Sequence, residues 1–180
     1  MTSGDEAIST SPGLKMTDLE IVPIAEQHIA GFRAMFDAVV RETKFFSFLE
    51  APALEETRKF VLDSLEAGSP HFVVVSGADV VGWCDVIRKT RPVHSHCGTL
   101  GIGLLPEFRG RGIGRQLMQT TIDAAWQCGM TRIELTVREH NANAIALYKS
   151  LGFEIEGLQR NAVRIDGQYQ NVYGMALIKE

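Results

Sequence analysis

The segment that most constrains this chain is a glycine- and arginine-rich turn between an apolar run and a helical pattern. Residues 109–114 read Arg-Gly-Arg-Gly-Ile-Gly and follow the apolar residues 100–105. Glycine allows the backbone to turn sharply and to approach a ligand closely. The first amides of a helix carry unpaired N–H groups at the positive end of the helix dipole, where anions bind favourably. The segment therefore predicts a strand–turn–helix unit that holds a phosphate-bearing ligand.

The spacing of the glycines excludes two common phosphate-binding loops. The dinucleotide fingerprint Gly-x-Gly-x-x-Gly fails, because Arg115 occupies the third glycine position when counting starts at Gly110 and Gly112. The triphosphate loop ends in Gly-Lys-Ser/Thr, and no such pair follows Gly114. The pattern that remains is Arg109-x-x-Gly112-x-Gly114, which by itself also fits a plain strand-to-helix turn.

A second patterned segment lies further along the chain. Residues 141–153 read Asn-Ala-Asn-Ala-Ile-Ala-Leu-Tyr-Lys-Ser-Leu-Gly-Phe, with apolar residues at helical spacing. Asn141 is a favourable N-cap, and Gly152 stands where a left-handed C-cap glycine belongs. The pattern predicts a short helix. Taken singly, it also fits an ordinary helix in which Tyr148 only packs.

The two segments together resemble the GNAT superfamily, the acetyl-CoA-dependent N-acetyltransferases. The family's pyrophosphate loop reads Arg/Gln-x-x-Gly-x-Gly/Ala, and its second segment reads Asn-x-x-Ala-x-x-Leu-Tyr-x-x-x-Gly-Phe. Every fixed position of both patterns is present in residues 109–114 and 141–153, in the family's order. The resemblance extends over residues 17–180. The C-terminal residues 152–173 look like the bacterial subgroup of amino-acid and phosphinothricin-type acetyltransferases.

The resemblance implies that acetyl-CoA, the cosubstrate, binds along the strand before the loop. In the family's fold this strand splays from the following strand and admits the pantetheine arm. The peptide groups of residues 102–105 are then expected to be free, and a fully paired core strand is the alternative. The expected coenzyme-binding residues are Ile102, Gly103, Leu104, Arg109, Gly110, Arg111, Gly112, Ile113, Gly114, Arg115, Asn141, Ala144 and Tyr148.

Acetyl transfer to an amine requires a neutral amine and a stabilised leaving thiolate. A primary amine of pKa near 10 is only about one part in a thousand neutral at pH 7, and a thiol like that of cysteine has a pKa near 8.5. By resemblance, Tyr148 is the general acid that protonates the thiolate, and packing against the pantetheine is its alternative role. Because a phenol is a weaker acid than a thiol, full transfer is uphill by about 2 kcal/mol. Moderate assistance is therefore expected.

The sequence defines the general base less closely. Some relatives carry a glutamate where this chain has Thr136, which cannot accept the proton. His94 and His96 precede the strand that leads to the loop, and a histidine of pKa near 6.5 accepts a proton near neutral pH. We name His96 as the candidate base, with a solvated loop histidine as the alternative. Glu134 and Glu139 are further candidates.

Composition and periodicity fit one mixed α/β domain. The 180 residues are 45% hydrophobic with a net charge of −4, so neither a nucleic acid nor a membrane is expected as a partner. The periodicity predicts the order β-α-α-β-β-β-α-β-α-β-β and a partly antiparallel sheet. Residues 1–16 are expected to form a flexible tail before a single domain, residues 17–180, and Met16 is an alternative start.

Three further expectations concern metals, compartment and assembly. Cys84, Cys97 and Cys128 form neither a CxxC pair nor a zinc pattern, so no metal is expected. Three reduced, mostly buried thiols favour a cytoplasmic protein. A homodimer is expected from the family resemblance.

The resulting hypothesis is an enzyme that acetylates the amine of a small molecule, an amino acid or a drug-like amine. A protein N-terminal acetyltransferase and a catalytically silent acetyl-CoA sensor are the alternatives. Specificity is expected from residues 43–52 and from the hairpin around Asp166, because the coenzyme motifs leave both unassigned.

Overall fold

The computed structural model describes residues 19–42, 46 and 49–180. The expected tail, residues 1–16, and residues 43–45 and 47–48 of the expected specificity segment lie outside the described residues. The predicted order of elements is confirmed. The elements are β1 (Leu19–Pro23), α1 (Ile29–Val40), α2 (Leu54–Glu66), β2 (His71–Ser76), β3 (Asp79–Arg88), β4 (Cys97–Leu104), α3 (Ile113–Gln127), β5 (Arg132–Arg138), α4 (Ala142–Ser150), β6 (Glu154–Ile165) and β7 (Gln168–Ile178).

The strands form one seven-stranded sheet in the order β1-β2-β3-β4-β5-β7-β6. Neighbouring strands run antiparallel, except that β4 and β5 are parallel because α3 connects them. The predicted hairpin turn at Asp166-Gly167 is present between β6 and β7, and both residues have positive φ, as a two-residue turn of this kind requires. The expected mixed, partly antiparallel sheet is thus confirmed.

Helices cover both faces of the sheet, and each face has its own apolar cluster. On the face of α1 and α2, the cluster includes Ile29, Phe32, Val39, Val61, Val73 and Trp83, and we call this the α1 face. On the opposite face, which we call the α3 face, it includes Leu100, Leu117, Met118, Ile133, Leu135 and Tyr148. On α3 the buried apolar positions are Ile113, Leu117, Met118, Ile122 and Ala125. Alternation along each strand assigns successive side chains to opposite faces.

The parallel pair β4 and β5 is joined only at its beginning. Cys97, Gly98 and Thr99 pair with Arg132, Ile133 and Glu134, after which the two strands separate. On its other side, β4 remains paired with β3 as far as Leu104. We call the opening between residues 100–104 of β4 and residues 135–138 of β5 the gap. The expected splay is therefore present, and the fully paired strand is excluded.

Candidate active site

The wall of the gap on the β4 side is bare peptide backbone. The Leu105 N–H bonds the Val81 carbonyl (3.0 Å) and the Lys89 N–H bonds the Cys97 carbonyl (3.0 Å), so odd-numbered β4 residues direct their peptide groups toward β3. In an antiparallel ladder this direction alternates, which turns the peptide groups of the even-numbered residues toward the gap. The residues concerned are Leu100, Ile102 and Leu104.

The expectation that residues 102–105 all offer free peptide groups needs correction. Leu105 is fully engaged, because its carbonyl also accepts a bond from the Phe108 N–H (3.0 Å). Gly103 pairs with Trp83 of β3, so its peptide groups face away from the gap. The physical reason is the alternation of the ladder, which leaves only every second residue unpaired. The peptide groups of Ile102 and the N–H of Leu104 remain as the expected contacts, since the Leu104 carbonyl accepts a bond from Arg109 (2.8 Å).

The loop before α3 presents an anion-binding backbone. Gly110 and Gly112 have φ of 70° and 80°, and a Cβ atom at either would meet nothing within 4 Å. Gly112 is the N-cap of α3, without a side chain to satisfy the first amides. Within the described part of the chain, the N–H groups of Ile113 and Gly114 have no partner. These amides therefore point at open space at the positive end of the helix.

Two of the three loop arginines are bound to the protein itself. The Arg109 guanidinium donates to both oxygens of Glu42 (2.5 and 3.0 Å) and to the Leu104 carbonyl (2.8 Å). Arg115 donates to the Ser150 hydroxyl (2.6 Å) at the end of α4. Both side chains brace the loop, and their expected contacts with the coenzyme stay predictions. Arg111 is exposed and forms no ion pair within the described ranges.

The helix that carries Tyr148 lies directly beside the loop. As expected, the Asn141 side chain caps α4 by accepting a bond from the Ala144 N–H (3.2 Å), and Gly152 ends the helix with a φ of 92°. A Cβ at Gly114 would contact Leu104 and Leu147 at 3.5 and 3.7 Å, so β4, α3 and α4 converge there. Asn141 uses its amide oxygen as a helix cap, which leaves the amide nitrogen for any coenzyme contact.

Tyr148 is buried on the α3 face, with its ring centroid 6.0 Å from that of Phe153. Burial, and to a smaller extent the nearby Cys84, raises the pKa of the Tyr148 hydroxyl well above its usual value near 10. The hydroxyl is therefore protonated at physiological pH. It is available as a hydrogen-bond donor and is a weaker acid than an exposed phenol.

The histidines proposed as bases stand at the wrong end of β4. His96 precedes the strand, is exposed, and its carbonyl accepts bonds from the Thr131 and Arg132 N–H groups (2.9 and 3.2 Å) where β4 and β5 are still paired. At about 3.3 Å per residue, it lies about 20 Å from Ile102. His94 is exposed at the same end. The structure does not bring either histidine to the gap.

The two glutamates proposed as bases are engaged in other contacts. Glu134 pairs with Lys89 (2.5 Å) and Arg132 (3.5 Å). Glu139 accepts bonds from the Asn171 side-chain amide (2.9 Å) and the Tyr173 hydroxyl (3.4 Å). Both carboxylates are thus ion-paired or hydrogen-bonded to neighbouring side chains.

The sequence patterns did not identify two buried ionisable residues on the α1 face. Asp85 of β3 lies against Gly101, where a Cβ would approach its Oδ1 to 2.9 Å. Burial raises its pKa to about 7, opposed by hydrogen bonds from the Gly101 backbone and the Trp83 indole. The sequence does hold a signal for Asp85, since it is the one charged residue in the apolar run 80–87.

The second buried ionisable residue on the α1 face is Arg138, the last residue of β5. It is almost fully buried, its Nη2 donates to the Phe46 carbonyl (3.1 Å), and desolvation lowers its pKa. Its Nη1 has no hydrogen-bond partner among the residues that the structure describes. The alternating pattern of the strand does not predict that Arg138 is buried, because the polar face of such a strand is expected to be solvated.

Comparison with known proteins identifies the family. The model of the acetyltransferase (GNAT) family matches residues 33–153, more than half of the chain. The chain belongs to the GNAT acetyltransferase family. It is accordingly an acetyl-CoA-dependent N-acetyltransferase, and the gap backbone and the loop amides are groups suited to a pantetheine arm and a pyrophosphate.

Two relatives of this GNAT protein bear different substrate names. The chain is 37% identical over 114 residues to the L-amino acid N-acetyltransferase AaaT of Escherichia coli, covering 62% of this chain and 70% of AaaT. It is 36% identical over 88 residues to the ribosomal protein bS18-alanine N-acetyltransferase of Salmonella typhimurium, covering 49% and 60%. The second match spans less than two thirds of that relative.

Solved structures share the fold. The yncA acetyltransferase of Salmonella typhimurium, solved with its cofactor acetyl-CoA, has a TM-score of 0.85 at 19% identity and covers 90% of this chain and 94% of its own. A phosphinothricin acetyltransferase of Sinorhizobium meliloti in complex with acetyl-CoA has a TM-score of 0.81 at 19% identity, covering 90% and 89%. At such identities the likeness concerns the fold.

Proposed function

We propose that this GNAT enzyme transfers the acetyl group of acetyl-CoA to the amine of a small molecule by direct attack, with Tyr148 as the general acid. One observation carries the proposal. The unpaired amides before α3, the gap-facing peptide groups of Ile102 and Leu104, and the helix of Tyr148 converge at one opening of the sheet. A phosphate group, an extended arm and a leaving sulfur thus each meet a suitable partner.

Each group at the opening has a role in the proposed reaction. Acetyl-CoA supplies an electrophilic thioester carbonyl. The amides of Ile113 and Gly114, with Arg111, hold the pyrophosphate, and the peptide groups of Ile102 and Leu104 align the arm. The acceptor nitrogen bonds to the acetyl carbon, and the carbon–sulfur bond breaks. Tyr148 shares its proton with the departing sulfur through a hydrogen bond, and the acceptor nitrogen releases the proton that the thiol finally carries.

The acid strength of Tyr148 limits what it contributes. With its pKa raised by burial, full transfer to a thiolate of pKa near 8.5 is uphill by more than the about 2 kcal/mol of an exposed phenol. The hydroxyl therefore acts chiefly by donating a hydrogen bond to the departing sulfur, whose free thiolate is already a tolerable leaving group.

Relatives support two acceptor classes. The match to AaaT, named for L-amino acids, is longer and covers more of the relative than the match to the ribosomal protein acetyltransferase. It favours a small amine, and N-terminal acetylation of a protein is the second candidate. A silent acetyl-CoA sensor is disfavoured because the chain carries Tyr148, the residue that we propose as the general acid.

The test measures thiol release from acetyl-CoA over a panel of amino acids, drug-like amines and N-terminal peptides. Tyr148→Phe should keep acetyl-CoA affinity, because the ring and its packing survive. Its turnover should fall about ten- to a thousandfold, and less with an activated thioester whose thiol has a lower pKa. Tyr169→Phe, at an exposed tyrosine on β7, is the control and should leave turnover unchanged.

Two outcomes would contradict the assignment. Unchanged turnover in Tyr148→Phe would reduce Tyr148 to a packing residue. Loss of acetyl-CoA affinity together with turnover would move its role from chemistry to positioning the thioester. Thiol release with peptides alone would favour the protein N-terminal acetyltransferase.

We also propose a cytoplasmic homodimer. Cys84, Cys97 and Cys128 are free thiols. The edge strand β6 is exposed and carries Ile155 and Leu158, which suits contact with a second copy. In the part of the chain that the structure describes, no helix is long and apolar enough to cross a membrane. Light scattering should give twice the monomer mass of 19.9 kDa, and the monomer mass would contradict the dimer.

A further inference from the structure

Two buried charged side chains of opposite sign lack an ion-pair partner. Asp85 is 7% exposed and Arg138 is 2% exposed, yet neither takes part in any ion pair found in residues 19–42, 46 and 49–180. The pairs that do form there involve partly exposed side chains, such as Arg132 with Glu156. Buried Asp and Arg are rarely left unpaired, because desolvating a charge is costly. A bound molecule that carries both charges would satisfy the two together.

The two side chains stand on opposite sides of the gap and on the same face of the sheet. Asp85 reaches across to Gly101 of β4, beside Trp83 of the α1-face cluster. Arg138 alternates with Val137 of the α3-face cluster, which places its side chain on the α1 face. Gly103 and Arg138 each lie four residues beyond Thr99 and Glu134, the last pair before the two strands separate. Along the strands Asp85 and Arg138 are therefore offset by two residues, about 7 Å, and across the sheet β4 lies between them.

An aromatic residue connects the two charges. The Phe46 carbonyl accepts the bond from Arg138 Nη2 (3.1 Å), and the Phe46 ring lies 5.6 Å from the ring of Trp83. The Trp83 indole in turn bonds Asp85. Arg138 also borders a cavity of about 190 Å³ that Thr136 and Gln159 line. The Arg138 side chain thus borders open space, while its Nη1 is buried without a partner among the described residues.

We propose that Arg138 and Asp85 bind the carboxylate and the ammonium of a free α-amino acid, which is the acceptor. The inference rests on the proposed function and names its substrate class. A planar guanidinium matches a carboxylate with two parallel hydrogen bonds. The amine must lose a proton before it attacks, and that proton passes from nitrogen to an Asp85 oxygen. The pKa of Asp85, about 7, suits this transfer.

This site sets amino acids apart from the other acceptor classes. A peptide N-terminus and a drug-like amine both offer an ammonium for Asp85, but neither carries a carboxylate on the adjacent carbon. Each would leave the Arg138 guanidinium buried and unpaired, and a site built for a polar group discriminates strongly against a ligand that lacks it. The free amino acid is therefore preferred over its own carboxamide.

The test compares kcat/KM for a free amino acid and its carboxamide. The wild-type enzyme should prefer the free acid by about a hundredfold. Arg138→Gln should lower kcat/KM for the acid about a hundredfold and change that for the carboxamide less than threefold. Arg138→Lys should recover part of the loss, since it keeps the charge without the planar fork. Asp85→Asn should lower both values, because both substrates carry the ammonium.

Arg132→Gln is the matched control. Arg132 lies on the same strand and face, but its charge is already paired with Glu134 and Glu156. It should alter the two substrates equally or not at all. Equal losses for acid and carboxamide in Arg138→Gln would overturn the proposal, because they would make Arg138 a structural residue of the loop at Phe46.

Calorimetry with a non-reactive thioether analogue of acetyl-CoA separates this inference from the proposed function. The free amino acid should bind the wild-type complex and not Arg138→Gln, while the affinity for the analogue stays unchanged. If no amine is acetylated but this pattern holds, the site stands and the proposed reaction fails. If amines without a carboxylate are acetylated as well as amino acids, the reaction stands and the site fails. Absence of amino-acid binding to the wild-type complex would also overturn it.

Discussion

The two faces of the gap are built on different principles. On the α3 face, which we assign to the coenzyme, the groups come from two continuous segments, the loop before α3 and the helix of Tyr148. They are backbone amides and one neutral hydroxyl. On the α1 face, which we assign to the acceptor, the groups are the charged side chains of Asp85 and Arg138, from strands far apart in sequence.

The difference has an energetic meaning. Unpaired amides at an exposed helix N-terminus are hydrated when no coenzyme is bound, so they cost the free protein little. Buried charges without partners lower the unfolding free energy of the free protein, and a bound ligand of complementary charge raises it again. Substitutions on the coenzyme side should therefore act on binding, whereas substitutions on the acceptor side should also act on folding.

The largest expected effect concerns stability on the acceptor side. The pKa of Asp85 is raised to about 7 from its ordinary value near 4, so the native state holds a proton that the unfolded state releases. Its contribution to stability is greatest at low pH and is lost as pH rises from about 4 to 7, by about 4 kcal/mol. Urea denaturation measures the unfolding free energies of the wild type and of Asp85→Asn. The wild-type value minus the variant value should fall by about 4 kcal/mol between pH 4 and pH 7.

His71 provides the opposing control. It is buried against Phe32 without a hydrogen-bond partner for either ring nitrogen within the described ranges, and burial lowers its pKa to about 4. Its contribution to stability therefore rises with pH between about 4 and 6.5, by about 3 kcal/mol. In the wild type, the fall of the unfolding free energy with pH that Asp85 causes nearly cancels the rise that His71 causes. Asp85→Asn should therefore show the rise alone. A wild-type profile that rises with pH as steeply as that of Asp85→Asn would show that Asp85 is ionised in the free protein.

The next effect concerns coenzyme affinity. Gly112→Asp places a carboxylate where the pyrophosphate is expected and should raise the dissociation constant for acetyl-CoA about a hundredfold by calorimetry. Gly129→Asp is matched in backbone strain, because its φ of 81° equals that of Gly112 within a degree and its Cβ would also meet open space. It lies beyond the other end of α3 and should leave the affinity unchanged. Equal losses in both variants would attribute the effect to strain.

The smallest effect distinguishes the arginines of the loop. Arg111→Ala removes the exposed arginine and should raise the acetyl-CoA dissociation constant about three- to tenfold, with an unchanged melting temperature. Arg109→Ala removes the contacts to Glu42 and Leu104 and should lower the melting temperature as well. A melting temperature that falls in Arg111→Ala and not in Arg109→Ala would reverse this assignment.

The elements with strong local signals agree with the sequence prediction. Asn141 caps its helix, Gly152 ends it in the left-handed region, and the hairpin around Asp166 joins β6 to β7. The loop at Gly112 likewise forms the N-terminus of α3. Each of these features depends on residues a few positions apart, so short-range geometry decides them.

The remaining site residues depend on contacts that no local pattern contains. Arg109 and Arg115 belong to the predicted phosphate loop, and the structure adds that Glu42 and Ser150 approach them from distant segments. His96 lies close to the loop in sequence, but an extended strand separates the two in space.

The sequence by itself determined the order of the elements, the loop, and the family of acetyl-CoA-dependent enzymes, because these reside in contiguous residues. The tertiary structure alone decided which side chains face the gap. Pairing with β3 directs the peptide groups of Ile102 into the gap and those of Gly103 away from it. The alternation of side chains along β3 and β5 brings Asp85 and Arg138 to the same face of the sheet. Both side chains are buried there, and neither has an ion-pair partner among the described residues.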